Sequence, residues 1–324
     1  MSSVTRREGL GLALGAAAAM AAGGAGAAPM KLLTRAIPGS GVRSPAQISE
    51  ERLPVIGLGS SATFSQVARS EDAAALREVM RTMVEAGGRV FDTAPSYGAS
   101  EEVAGRMARE AGLADKLFWA TKLNVARPGG TADPAAAKAQ IEQSFARWGR
   151  PTIDLIQVHN VGDPPTQLGL LKQLKAQKRV RYIGVTTTFE PQYETLVSLM
   201  KNEPLDFIGV DYAVDNREVE TTILPLAVER KIGVLVYAPF GRTRLFRRVG
   251  ERPLPDWAAE IDAKSWAQVF LKWVIGHPAV TVATPATSQV KNMLDNLGGG
   301  VGRLPDAALR QRIATFVAEL PQAA

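Results

Sequence analysis

Cysteine is absent and histidine occurs only twice in the 324 residues. The first absence removes disulfides and every thiolate metal site; the second removes the histidine clusters that catalytic zinc requires. A barrel hydrolase built on Asp92 and His159 around a metal is thereby left as a remote alternative. Strong charge of either sign is also missing. Charged residues make up 22% of the chain, the formal net charge is +6, and the basic residues are dispersed rather than run together. That distribution argues against a nucleic-acid surface. Aromatic content is only 6%, but a hydrophobic content of 46% is enough for a globular core.

Long strongly apolar runs are lacking too. The mildest stretch, residues 10–28, is built largely from Ala and Gly and makes a poor membrane span. It follows Thr5-Arg6-Arg7 and ends in Ala25-Gly26-Ala27, a small-residue cleavage pattern. The paired arginines give this segment the look of a twin-arginine signal peptide. The expectation is export to the periplasm or beyond by the twin-arginine machinery, with no stable membrane insertion after cleavage. Because that route carries folded proteins, a cofactor acquired in the cytoplasm travels with the chain. Residues 29–52, rich in Pro, Gly, Ser and Arg, read as a leader and amino-terminal hairpin with an extra segment at 42–51. Residues 53–324 read as one domain ending in a helix.

Within that domain a pattern of short apolar strand and amphipathic helix recurs every thirty to forty residues. Candidate strands are 55–59, 89–93, 117–121, 153–158, 182–185, 207–211, 233–238 and 280–283. Candidate helices are 71–85, 168–178, 192–200, 220–230 and 265–274. The clearest helix starts at Asp133-Pro134, carries Ile141, Phe145 and Trp148 on one face, and stops at Gly149. Eight alternating units predict an α/β fold, a (β/α)8 TIM barrel with a closed parallel sheet. An open doubly wound sheet is the alternative. Its one support is Gly57-Leu58-Gly59-Ser60-Ser61-Ala62, a match to the dinucleotide-binding glycine pattern. Such a turn must open directly into its helix, whereas the helical pattern here begins near Ser70 or Glu71, after a loop with Thr63 and Phe64. The match therefore reads as a strand end.

Polar residues gather at the C-terminal ends of three successive strands. Arg89-Val90-Phe91-Asp92 is a short buried strand, and the turn after it, Pro95-Ser96-Tyr97-Gly98, projects Tyr97. The next two strands end at Lys122 and His159. Each is unremarkable alone: a strand-end Lys often makes a solvated ion pair, a lone His is usually structural, and a turn Tyr is usually packed. A barrel brings all four to one mouth. A phenol ordinarily keeps its proton to a pH of about 10, but a nearby ammonium favours the phenolate and a carboxylate holds that ammonium in place. Tyr97, Lys122, Asp92 and His159 thus suit protonation of an oxygen gaining negative charge. They lack the nucleophile–base pair of acyl transfer.

These segments resemble the aldo-keto reductase family. Phe91-Asp92-Thr93-Ala94-Pro95-Ser96-Tyr97-Gly98 with Glu101-Glu102-Val103-Ala104-Gly105, then Phe118-Trp119-Ala120-Thr121-Lys122, then Asp154-Leu155-Ile156-Gln157-Val158-His159-Asn160, follow the family's signatures in order. The resemblance implies an NADPH-dependent, metal-free reductase of aldehydes or ketones, with Tyr97 as proton donor. It implies that Tyr237 stacks on the nicotinamide and that the following Pro239-Phe240-Gly241-Arg242 covers the pyrophosphate, with Arg244, Arg247 and Arg248 either at phosphates or solvated. It implies that Thr287, Lys291, Asn292 and Asn296 surround the adenosine 2′-phosphate. Gly59, Ser60, Thr186, Thr187 and Gly209 fall on the cofactor side of the mouth. Phe64, Trp119 and Asn160 are the candidate substrate lining.

The chain also departs from the family pattern. Thr186-Thr187 stand for the usual Ser-Asn and Gly209 for the usual Gln, side chains that hydrogen-bond the nicotinamide carboxamide. A basic residue beside the 2′-phosphate is replaced by Ala286 or Asn292, and Lys291 is the candidate to compensate, so NADP stays the expected cofactor with NAD as the alternative. The leading expectation is an exported oxidoreductase; the competing one is an exported barrel that binds nucleotide or another small ligand with little turnover.

Overall fold

The computed structural model describes residues 29–39, 50–61, 63–68 and 73–322. The expected signal peptide and most of the extra segment at 42–51 lie outside them. The strands are β1 (Thr34–Ala36), β2 (Arg52–Pro54), β3 (Leu58–Gly59), β4 (Val90–Asp92), β5 (Phe118–Leu123), β6 (Ile153–Val158), β7 (Val180–Thr187), β8 (Phe207–Asp211), β9 (Gly233–Tyr237) and β10 (Val282–Ala283). The helices are α1 (Thr63–Val67), α2 (Ala73–Glu85), α3 (Ser100–Glu110), α4 (Pro134–Trp148), α5 (Pro164–Ala176), α6 (Tyr193–Asn202), α7 (Ile223–Glu229), α8 (Arg244–Val249), α9 (Trp266–Ile275), α10 (Val290–Gly298) and α11 (Ala307–Glu319).

Strands β3 to β10 pair in parallel, each with its neighbour in sequence. The ring closes through parallel bridges Ile56↔Ala283 and Gly59↔Ala286. The glycine pattern is consumed by this closure: Gly57 N–H donates to Ala283 O (2.9 Å) and Gly59 N–H to Pro285 O (3.0 Å). Those amides are spent on the barrel, and the doubly wound alternative falls. Thr63 and Phe64 belong to the short helix α1, not to a loop.

Strand alternation separates two cores. Inward residues Val90, Phe118, Leu155, Tyr182, Phe207, Leu235 and Val282 fill the barrel, and Ile37 and Leu53 from the β1–β2 hairpin plug its lower end. Each such fully buried side chain contributes about 1.5–3 kcal/mol. Outward residues pack under the helices, including Phe91, Trp119, Ile156 and Ile208. Arg35 fastens the hairpin by donating to the carbonyls of Ile275 and His277, both at 2.6 Å.

Helix α4 follows its expected signals: the Asp133 carboxylate accepts from Ala135 N–H, Pro134 opens the helix, and Gly149 ends it at φ 62°. Helix α5 begins earlier than its periodicity suggested, because Pro164 and Pro165 occupy the first turn, where missing N–H groups cost nothing. Helix α3, absent from the expected set, carries Glu101 into the helix layer. Its carboxylate accepts from Thr121, Ser144 and Arg147 at 2.6–2.8 Å, clamping α3 to β5 and α4.

Candidate active site

The register lifts the polar residues to one level. Asp92 pairs with Ala120, and Lys122, one inward position higher, pairs with Gln157. Asp92, Lys122 and Gln157 therefore form a polar layer above the apolar barrel core. Lys122 Nζ donates to Asp92 Oδ2 (2.7 Å) and to Thr93 O (2.8 Å). Burial alone would push the Lys122 amine down, but Asp92, Tyr97 and Glu101 together outweigh it and hold the ammonium above its ordinary value. Burial pushes the Asp92 carboxyl up, while Lys122 and the Tyr237 hydroxyl pull against that shift.

Tyr97 sits on the turn after β4, fixed by its N–H on Ala94 O (3.0 Å). Its ring lies 5.3 Å from Lys122 Nζ and meets the His159 ring edge-on at 5.9 Å. His159 follows β6, and its Nδ1 is buried without a partner. Burial first, then the Lys122 charge, push its imidazole down to about 3, so it stays neutral. It can orient or hydrogen-bond a substrate oxygen but does not act as a cationic acid.

These four residues line one cavity of about 400 Å³, together with Gly59, Ser60, Asn160, Thr186, Tyr237, Pro239, Phe240 and Arg242. That volume falls in the ordinary range for a small-molecule site. Tyr237 points into the barrel: its hydroxyl donates to Asp92 Oδ1 (3.2 Å) and accepts from Gln157 Nε2 (3.0 Å). Arg242 spans the rim, bonding Thr188 Oγ1 (3.1 Å) and lying 3.6 Å from Asp211. Backbone strain concentrates on the two facing loops. Six of the nine non-glycine residues with positive φ among those described are Asn160, Val161, Asp163, Ala238, Arg242 and Thr243. Such conformations cost about 1–3 kcal/mol each and persist where the surroundings hold them for a task.

Several expected residues lie elsewhere. Phe64 and Trp119 are fully buried in the outer core, not at the mouth. Trp119 packs at a tilt against Trp148 and donates its indole N–H to Ala114 O (2.9 Å). Strand alternation was the available signal, since Trp119 stands three residues from inward Lys122 and so faces outward. The same parity turns Thr187 into the helix layer, where its hydroxyl bonds Gln192 Oε1 (2.5 Å). Gly209 lies beneath the Tyr237 ring rather than on the cavity wall. Gly241 is packed by the Arg244–Asp215 ion pair. Arg248 is buried, donating to Val317 O (2.6 Å) and Leu320 O (3.0 Å), so it ties down the chain end and is unavailable to phosphates.

Thr287, Lys291, Asn292 and Asn296 are outside the cavity wall, which ends at Ala286. Thr287 Oγ1 accepts from Gln289 N–H (3.1 Å) ahead of α10, whose first turn exposes Lys291 and Asn292; Asn296 is buried further along. Residues given no role by the sequence also line the mouth, notably Ser61, Thr188 and Thr243. Gln157 was readable by parity, two positions from His159. Among the described residues, no group of three or more His, Asp or Glu could hold a metal ion.

Comparison with known proteins agrees with this geometry. The model of the aldo/keto reductase family matches residues 55–311. An aldo-keto reductase of Mycolicibacterium smegmatis is 30% identical over 260 residues, 77% of this chain and 83% of its own. One from Bacillus subtilis is 31% identical over 206 residues, 60% of this chain and 61% of its own. The crystal structure of an aldo/keto reductase from Klebsiella pneumoniae, in complex with NADP and acetate, aligns with a TM-score of 0.66 at 25% identity, covering 82% of this chain and 93% of that one.

Proposed function

The chain belongs to the aldo/keto reductase family, and from that premise we propose an NADP(H)-dependent oxidoreductase that reduces aldehydes or ketones with Tyr97 as proton donor. The observation that carries this reading is the convergence of Tyr97, Lys122, Asp92 and His159 on one cavity. The residues suit the cofactor: the cavity offers the Tyr237 ring, the Thr186 hydroxyl and the Arg242 guanidinium along one wall. Beyond Ala286, the start of α10 offers backbone N–H groups and Lys291 to a phosphate. The Klebsiella relative binds NADP, and a fission-yeast relative, 24% identical, carries NADP(+) in its name. NAD remains the competing cofactor because Ala286 puts no basic side chain at that end of the cavity wall.

When bound, the nicotinamide supplies a hydride to the carbonyl carbon. Negative charge then grows on the carbonyl oxygen, and Tyr97 supplies its proton. The buried Lys122 ammonium stabilises the phenolate left behind, with Asp92 holding it in place. Neutral His159 orients the oxygen, beside Asn160 on the substrate side.

Titrating the protein with NADPH and NADH while following intrinsic fluorescence tests the cofactor; absorbance loss on adding aldehydes or ketones tests turnover. Preference for NADPH with turnover abolished in Tyr97→Phe is expected. No binding of either nucleotide would sink the reading. One observation favours the competing binding barrel: Gly209 has no side chain and Thr187 turns away, so two usual carboxamide contacts are missing. In that case Tyr97→Phe would change nothing.

We further propose export through the twin-arginine route, supported by Arg6-Arg7 and the mild Ala-rich segment after them. Cell fractionation of the wild type and an Arg6→Lys, Arg7→Lys variant tests it. Equal distribution of the two between cytoplasm and exterior would contradict it.

A further inference from the structure

We propose that Tyr237 is a positioning residue that fixes the Asp92 carboxylate through its hydroxyl, and that glycine at position 209 is what admits it. The kinetic consequence rests on the reductase reading above; the contact itself does not.

The Tyr237 hydroxyl donates to Asp92 Oδ1 (3.2 Å), leaving its lone pair to accept from Gln157 Nε2 (3.0 Å). Lys122 takes the other carboxylate oxygen at 2.7 Å. Asp92 is thus gripped from two sides by donors on β9 and β5. The Lys122 bond has the length of a charge-assisted one, about twice as strong as a neutral bond, and the phenol bond is the longer and weaker of the two. The Gln157 amide spends its N–H on the phenol while its Oε1 is buried unpaired, an arrangement with a cost that simple ring packing does not require.

Gly209 supplies the space. A Cβ there would lie 2.4 Å from Tyr237 Cε2, 2.7 Å from its hydroxyl oxygen and 2.8 Å from Cζ. Any side chain at 209, including the Gln usual in the family, excludes the phenol from this position. The exchange of Gln for Gly and the inward phenol are therefore one feature. Its effect passes to Lys122, whose Nζ lies 5.0 Å from the Tyr237 ring and 5.3 Å from that of Tyr97. The groups acting on Asp92 are Lys122 on β5 and Tyr237 on β9; Lys122 is in turn acted on by Tyr97 on the turn after β4 and by Glu101 on α3.

Tyr237→Phe keeps the ring and removes the hydroxyl. The expected result is a fall in kcat of about tenfold or more, with KM and NADPH affinity within twofold of wild type. The acid limb of the kcat–pH profile should move to higher pH, because Asp92 has lost a donor that favours its ionised form. Gly209→Ala should reproduce that kcat loss, and the double variant should be no more than about twofold worse than either single one. A merely structural role would leave the pH profile unmoved and make the two losses multiply, which overturns the proposal. A double-mutant cycle of Tyr237→Phe with Asp92→Asn in urea unfolding needs no turnover. Non-additivity of about tenfold in the unfolding constant is expected, and strict additivity overturns the proposal. Absence of reduction by the wild type would remove the reductase reading alone, since the unfolding cycle still decides the contact.

Discussion

Lys122 Nζ stands 2.7 Å from Asp92 Oδ2, and the two side chains are only 1% and 4% exposed. Removing one partner strands the other charge where water cannot reach it. Lys122→Met should therefore cost about 3–5 kcal/mol of stability in urea unfolding. Combining it with Asp92→Asn should recover part of that loss while reduction stays abolished. A loss below about 1 kcal/mol would mean that the pair behaves as a solvated one.

Both histidines are held neutral. Burial first pushes His159 to about 3 and His277 to about 4, and the Nδ1 of His277 already accepts from Ala279 N–H at 3.2 Å. In the unfolded chain both titrate near 6.5. Between pH 6.5 and 4 the unfolded state thus binds more protons, so folded stability falls as pH drops through that window. Imidazole resonances followed by NMR should show no midpoint between pH 6 and 7. The reduction rate should have no inflection there from His159. A midpoint near 6.5 for either ring would contradict the burial described.

Trp119 belongs to the outer core despite its place in the strand that carries Lys122. Trp119→Phe removes volume and the indole bond to Ala114 O. It should cost about 1–3 kcal/mol of stability and leave KM for every carbonyl compound unchanged. Altered substrate preference in a variant that folds normally would return Trp119 to the mouth.

Local chemistry made the barrel and its four polar strand-end residues readable. Asp92, Lys122 and His159 each close an apolar run, and Tyr97 sits in a Pro-Ser-Tyr-Gly turn. Parity would have improved the reading further, since it places Trp119 and Thr187 outward and Gln157 inward. Other features depend on chain that is remote in sequence. The depth of Tyr237 follows from space left by Gly209 on the neighbouring strand. Arg248 looked like a loop cation until α11 brought the carbonyls of Val317 and Leu320 to it. No local pattern around either residue contains that information.

Hydride transfer with Tyr97 as the acid is the central claim, and isotope transfer tests it most directly. NADPH deuterated at the reactive nicotinamide carbon would be incubated with the protein and an aldehyde, and the alcohol product weighed by mass spectrometry. The account predicts one deuterium on the carbinol carbon with the wild type and no labelled alcohol with Tyr97→Phe. Alcohol lacking the label, or equal labelling by Tyr97→Phe, would contradict it.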